Sequence, residues 1–207
     1  MPAWASPAKD EDFGYWGVTD LEHKIGSKWK IKAGEEVRFR EHAGLKYYET
    51  HAGFAFTAHP LLVLGADYLQ ARETRASGGK DIWYWEECPR IYATFQSKVK
   101  GFLFENRNLL EFRFKEGTEH TVRYRNQSTL TAPWKWTRFE IQPYTSNEVF
   151  FESNRNGLTE DRYYNGVKTK LTSNITCSIF YLRQFSKNNF ASWKDANILG
   201  NSLKVSF

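Results

Sequence analysis

The stretch Glu111–Arg125, EFRFKEGTEHTVRYR, decides the fold. Phe112 and Phe114 alternate with Arg113 and Lys115, and beyond Gly117-Thr118 the residues Val122 and Tyr124 alternate with Arg123 and Arg125. A period of two is the mark of a strand with one dry face and one wet face. With a turn centred on Thr118, Phe112 lies opposite Tyr124 and Phe114 opposite Val122 on the inner side, and Arg113 meets Arg123 on the outer side. Opposed like charges weaken a strand pair. The arginines therefore call for an acid from a neighbouring strand, Glu105 or Glu140, or for an anionic ligand.

The same period recurs in both directions from this hairpin. Val37 and Phe39 alternate with Arg38 and Arg40, and further short apolar or alternating blocks lie at 28–31, 46–50, 54–58, 82–85, 91–96, 101–105, 134–142, 149–153, 162–164, 167–171, 176–183 and 203–207. About a dozen strands predict an all-β chain. An antiparallel β-sandwich of jelly-roll type is the expected architecture, with a closed β-barrel as the alternative. Asn165-Gly166 has the two-residue signature of a type I′ hairpin turn, and Ser77-Gly78-Gly79 and Asn156-Gly157 mark further reversals. Pro60, Pro89, Pro133 and Pro143 fall at the ends of candidate strands, where a missing amide hydrogen does little harm. Only 66–74 and 192–199 suggest helix, as two short peripheral elements. The parity of the aromatic positions changes at Thr137-Arg138, which predicts a bulge or a strand crossing. No linker or repeat divides the chain, so residues 1–207 form one domain.

Composition sets the outer limits. At 207 residues, with 17% aromatic and 26% charged side chains, the chain can bury a core without metal or disulfide. Its longest apolar run is Leu61–Leu64, so no membrane-spanning helix is expected and the chain reads as soluble. The first twenty residues carry Asp10, Glu11 and Asp12 and no apolar run. That predicts a cytoplasmic protein unless a leader has been removed. The net charge of +5 is unevenly placed: from Arg162 onward seven cations face the single acid Asp195. Such asymmetry suggests an anionic partner. Nucleic acid is a less favoured one, although the basic, aromatic segment around Tyr181, Arg183 and Trp193 has suitable groups.

Dedicated chemistry is hard to find. Cys88 and Cys177 lie far apart in sequence and outside any Cys-x-x-Cys pair, which excludes zinc ribbons. His42, His51 and His59 are close in sequence, but no metal motif joins them, and neither a metal nor a cofactor is expected. Nucleophile elbows, phosphate loops and dinucleotide fingerprints are missing. The densest functional cluster is Trp83-Tyr84-Trp85-Glu86-Glu87. Indole faces stack on sugar rings and carboxylates accept hydrogen bonds from hydroxyls. The sequence thus points to a non-enzymatic binding module for a glycan or anionic polymer. In that reading Trp83, Trp85 and Trp136 stack, Glu86 and Glu87 hold hydroxyls, and Arg113, Arg123 and Arg125 supply positive field. Three alternatives share the composition: a shell-forming, capsid-like protein that assembles with its own copies, a lipocalin-like barrel for an apolar molecule, and a glycosidase. The last would pair Glu86 or Glu87 with Glu140 or Glu152.

Overall fold

A computed structural model describes residues 12–40, 44–77, 80–187 and 192–207. Among these residues there is no helix. Eleven strands follow in chain order: β1 (Asp12–Ile25), β2 (Trp29–Arg40), β3 (Gly44–His59), β4 (Leu62–Ser77), β5 (Lys80–Val99), β6 (Phe102–Lys115), β7 (Thr121–Thr131), β8 (Gln142–Glu152), β9 (Leu158–Lys170), β10 (Ile175–Lys187) and β11 (Trp193–Ser206). Each pairs antiparallel with its sequence neighbours, and β1 closes on β11 to make a barrel. The closing pair is parallel because the strand number is odd. The jelly-roll sandwich therefore gives way to the closed barrel.

The strands are strongly staggered. Followed once around the wall, the hydrogen-bonded register returns to β1 about fourteen residues from where it left. For eleven strands that stagger corresponds to a tilt of about 40°, within the usual range for closed barrels.

Several local expectations fail for visible reasons. Segment 66–74 and all but the first residue of 192–199 are strand, inside β4 and β11. Asn165-Gly166 is no turn: it sits within β9, with Asn165 opposite Thr145 and Gly166 opposite Tyr144. Glycine is needed there because a Cβ would come within 2.6 Å of the Ile179 carbonyl oxygen and 2.8 Å of the Tyr144 ring. Two successive positive φ angles, the backbone requirement of a type I′ hairpin, occur instead at Lys100 (48°) and Gly101 (85°) between β5 and β6. Pro89 is interior to β5, facing outward, and the β5–β6 ladder skips Cys88 and Pro89. Asn156-Gly157 does lie in a reversal, with Gly157 at φ 73°. The Ser77–Gly79 reversal falls at 78–79, outside the described residues.

The Glu111–Arg125 hairpin forms with the predicted parity but shifted by two residues: Phe112 pairs with Val122, Glu111 with Arg123, and Arg113 with Thr121. Its faces are reversed. Glu111 and Arg113 are 1% and 7% exposed, whereas Phe112 and Phe114 are among the exposed large hydrophobics. The same inversion runs around the barrel. Buried charged residues include Glu22, Glu49, Glu86, Arg90, Glu148 and Arg162, while Ile31, Phe54, Ile91, Phe95, Leu110 and Ile179 face out. The largest buried hydrophobic cluster inside the barrel holds only Trp16, Phe180, Leu182, Ala196 and Ile198.

Candidate functional site

The interior is an ion-pair lattice built by alternate residues of neighbouring strands. Arg113 of β6 donates to both oxygens of Glu86 on β5, at 2.5 and 2.9 Å, and to Glu152 of β8 at 2.7 Å. Glu111 accepts from Arg123 and, at 2.9 Å, from Arg125. Arg125 reaches on to Glu148 at 2.6 Å, which also receives Arg162 at 3.4 Å and the Tyr164 hydroxyl at 3.2 Å. Arg162 is bonded to Glu160 at 2.5 Å and lies over the rings of Phe150 and Trp16, 4.5 and 4.8 Å from their centroids. Charge-assisted bonds of this kind are stronger than neutral ones, and inside a barrel each charge needs them because its water has been stripped away.

Two cavities open in this lattice. One of about 540 Å³ lies toward the rim that carries the β6–β7 and β8–β9 connections, and is lined by Arg38, Tyr47, Glu86, Arg113, Arg123 and Arg162 among others. The second, about 250 Å³, lies toward the rim of the β1–β2, β3–β4 and β5–β6 turns and is lined by Glu22, Lys30, Lys32, Tyr92, Arg107 and Lys204 among others. A layer at mid-height lines neither cavity: Asp20, His51, Asp67, Arg90 and Glu148. It is internally bonded, with Arg90 on Asp67 and His51 Nε2 3.4 Å from Asp20. Sequence reasoning passed over His51 in this role, because strand neighbours of unlike sign are invisible until register is known.

The outer wall has its own order. Near one rim stand Tyr15, Phe39, Trp85, Phe112, Phe151 and Trp193; near the other, Trp29, Phe54, Phe95, Phe104 and Trp134. Between them the exposed side chains include Leu64, Ile91, Leu110, Val167, Ile179 and Leu199. Polar side chains interrupt this band: Gln70 and Glu87 pair across β4–β5 on the outer face, and on the β10–β11–β1 side Asn197 and Asn201 accept from the Tyr181 and Tyr15 hydroxyls. Glu35 of β2 is exposed on the outer face. Across β6–β9, amide and hydroxyl side chains and the Asp161 carboxylate bond to one another: Asn106 to Ser128 at 2.8 Å, Asn108 to Asn106 at 2.7 Å, Tyr124 to Asn108 at 2.7 Å, Thr145 to Asn165 at 3.0 Å and Asn147 to Asp161 at 2.7 Å.

The predicted ligand-binding residues are divided by the wall. Trp83, Trp85 and Glu87 face out, whereas Glu86, Arg113, Arg123 and Arg125 face in. Trp136 lies at the opposite rim in the 132–141 connection, where its backbone bridges Ile141 at 2.9 Å. That connection, with Thr137 and Glu140 at positive φ, is the source of the parity change. The acids that neutralise the arginines are Glu86, Glu111, Glu148 and Glu152, not Glu105 or Glu140. Glu86 and Glu152, one of the carboxylate pairs considered for acid–base chemistry, are both held by Arg113. Cys88 and Cys177 are free thiols, the first buried inside and the second on the outward face. His42 lies outside the described residues.

A protein-family model matches residues 13–194; its description is protein of unknown function, DUF2490. No curated protein matches the chain.

Proposed function

Because the chain belongs to the DUF2490 family, whose description names no activity, its function is read from its own geometry, and we propose that it is a bilayer-spanning β-barrel closed at mid-height by its own side chains. One observation carries this reading: charge lines the inside of the wall while the outside carries a largely apolar band, broken by polar side chains and bordered above and below by aromatic rings. Water would select the opposite arrangement. An apolar patch on one side of a barrel suits a protein partner, but a band around most of the circumference suits a solvent, and the solvent with that property is lipid.

The dimensions agree. Strands of 11 to 20 residues meet or exceed the 9–11 or so that a strand tilted by about 45° needs to cross the hydrocarbon layer. The two aromatic rings stand where interfacial girdles are found in such barrels. That no helix among the described residues is long and apolar enough to cross a membrane has no bearing on strands. The polar patch on β6–β9 meets the condition for polar groups at that depth, since its members bond one another.

Of the other readings, a glycan reader needs Trp83, Trp85 and Arg113 on one face, and a carrier of apolar ligands needs an apolar lumen. The inward Arg–Glu lattice supports neither. The mid-height layer supports a plugged barrel rather than an open pore, with a charged chamber at each rim.

Flotation tests the reading. After refolding in detergent and reconstitution, the protein should rise with phospholipid vesicles and resist alkaline extraction, and lipids brominated along the acyl chain should quench its tryptophan fluorescence. A protein that stays monomeric and folded without detergent, and whose fluorescence ignores brominated lipid, sinks it.

A further inference from the structure

The smaller cavity carries more positive charge than its own acids neutralise. Glu22, 7% exposed, is met by three ammonium groups at once: Lys204 at 2.9 Å, Lys30 at 3.5 Å and Lys32 at 3.7 Å. Arg107 brings a fourth cation to the lining, and Glu105 is the second carboxylate there. The nearest acid to Arg107 is Asp67 at 3.9 Å, and Asp67 is already bonded to Arg90. Like charges crowded about one carboxylate repel unless a further anion joins them.

Two polar atoms at this spot have no partner. The Tyr92 hydroxyl and the Arg107 Nε are both buried and unbonded, although a buried donor left unpaired is costly. Tyr92 is 8% exposed and fixed in place. Its ring lies against Gly65, where a Cβ would come within 2.2 Å, and packs with Ala55 and Leu109. Lys32 and Arg107 both lie against that ring, 5.7 and 4.6 Å from its centroid. The result is a rigid phenol flanked by two cations at the edge of a 250 Å³ space.

We propose that this cavity binds a small oxyanion of the phosphate class, held between Lys32, Arg107 and the Tyr92 hydroxyl within the field of Lys30 and Lys204. Donors converging from separate strands suit a tetrahedral anion with oxygens on every side better than a planar carboxylate. The volume admits a phosphate or a phosphate monoester head. The inference does not depend on where the barrel resides, because the cavity is built inside the wall.

Calorimetric titration of inorganic phosphate into the purified barrel in detergent, at low ionic strength, tests it. Saturable binding of one phosphate is expected. Arg107→Gln and Lys32→Gln should each weaken it about tenfold or more, Tyr92→Phe by a few-fold, and Lys135→Gln in the exposed 132–141 connection not at all. Should Arg107 be needed for folding, Lys204→Gln at the more exposed end of the cluster serves in its place. Tighter binding of glycerol 3-phosphate than of inorganic phosphate assigns a headgroup as the natural ligand, and the reverse order assigns the free ion. Absence of saturable heat up to about 10 mM phosphate, or an affinity unchanged in every cavity variant, overturns the proposal.

Discussion

Arg113 reaches diagonally across the β5–β6 ladder to Glu86 inside the barrel, two residues from Glu86's register partner Lys115, and is joined to it by hydrogen bonds of 2.5 and 2.9 Å, while their chain neighbours Phe112 and Glu87 face out. Breaking one side of such a pair strands the other charge. Arg113→Ala should cost about 3–5 kcal/mol, because Glu86 and Glu152 both lose their guanidinium. The double variant with Glu86→Ala should cost less than the sum of the two single changes. Urea unfolding of the four proteins in the same detergent gives the coupling; simple additivity would show that the pair acts independently.

The bilayer reading puts a price on the outer band. Leu110→Arg and Ile91→Arg place a charge on that face, and each should destabilise the barrel folded in phospholipid by about 2–4 kcal/mol, with smaller effects close to the rims. In a barrel surrounded by water the same surface changes stay within about 0.5 kcal/mol. Equilibrium unfolding from lipid vesicles separates the two.

Thiol labelling reports both sides of the wall. Cys177 lies between Thr169 and Leu203 on the outward face, and Cys88 is 1% exposed on the inward one. In reconstituted vesicles a membrane-impermeant maleimide should label neither thiol, and a lipid-soluble maleimide should label Cys177 alone. Rapid reaction of Cys177 with the impermeant reagent would place that face in water.

Gly166 has no room for a side chain. Gly166→Val should push the Tyr144 ring and the β9–β10 ladder apart, at a cost of about 1–3 kcal/mol from overpacking. Gly157→Ala, in an open turn with no atom within 4 Å of the new methyl group, carries only the strain of its positive φ, about 1 kcal/mol. Thermal unfolding of the two variants should rank them in that order.

Most of the strands from β2 to β10 were readable at least in part from alternation, and so was the parity of the Glu111–Arg125 hairpin, but β1 was not anticipated, and β4 and the start of β11 read as helix. The side that points inward was not. Phe112 and Arg113 alternate identically whether the outside is water or lipid, and the ordinary rule that apolar residues go in assigns the wrong face when the solvent is apolar. A hint was available in the spacing of opposite charges: Glu86 with Arg90, Glu111 with Arg113, and Glu160 with Arg162 each share a strand face, as an internal lattice needs. The Asn-Gly pair in β9 misled because glycine serves close packing as well as turns, and only the neighbouring Tyr144 distinguishes the two uses. The small cavity stayed hidden, since Lys32, Tyr92, Arg107 and Lys204 come from four strands and meet only once the sheet closes.

Ten of the barrel's eleven seams join strands that are consecutive in the chain, so a connecting segment keeps each of those pairs together even before hydrogen bonds form. The parallel seam of β1 with β11 has no such tether and cannot be made by a hairpin. Its partners must find each other after the rest of the wall has curled. Until that seam forms, β1 and β11 are open edges for which a stray strand from another molecule can compete.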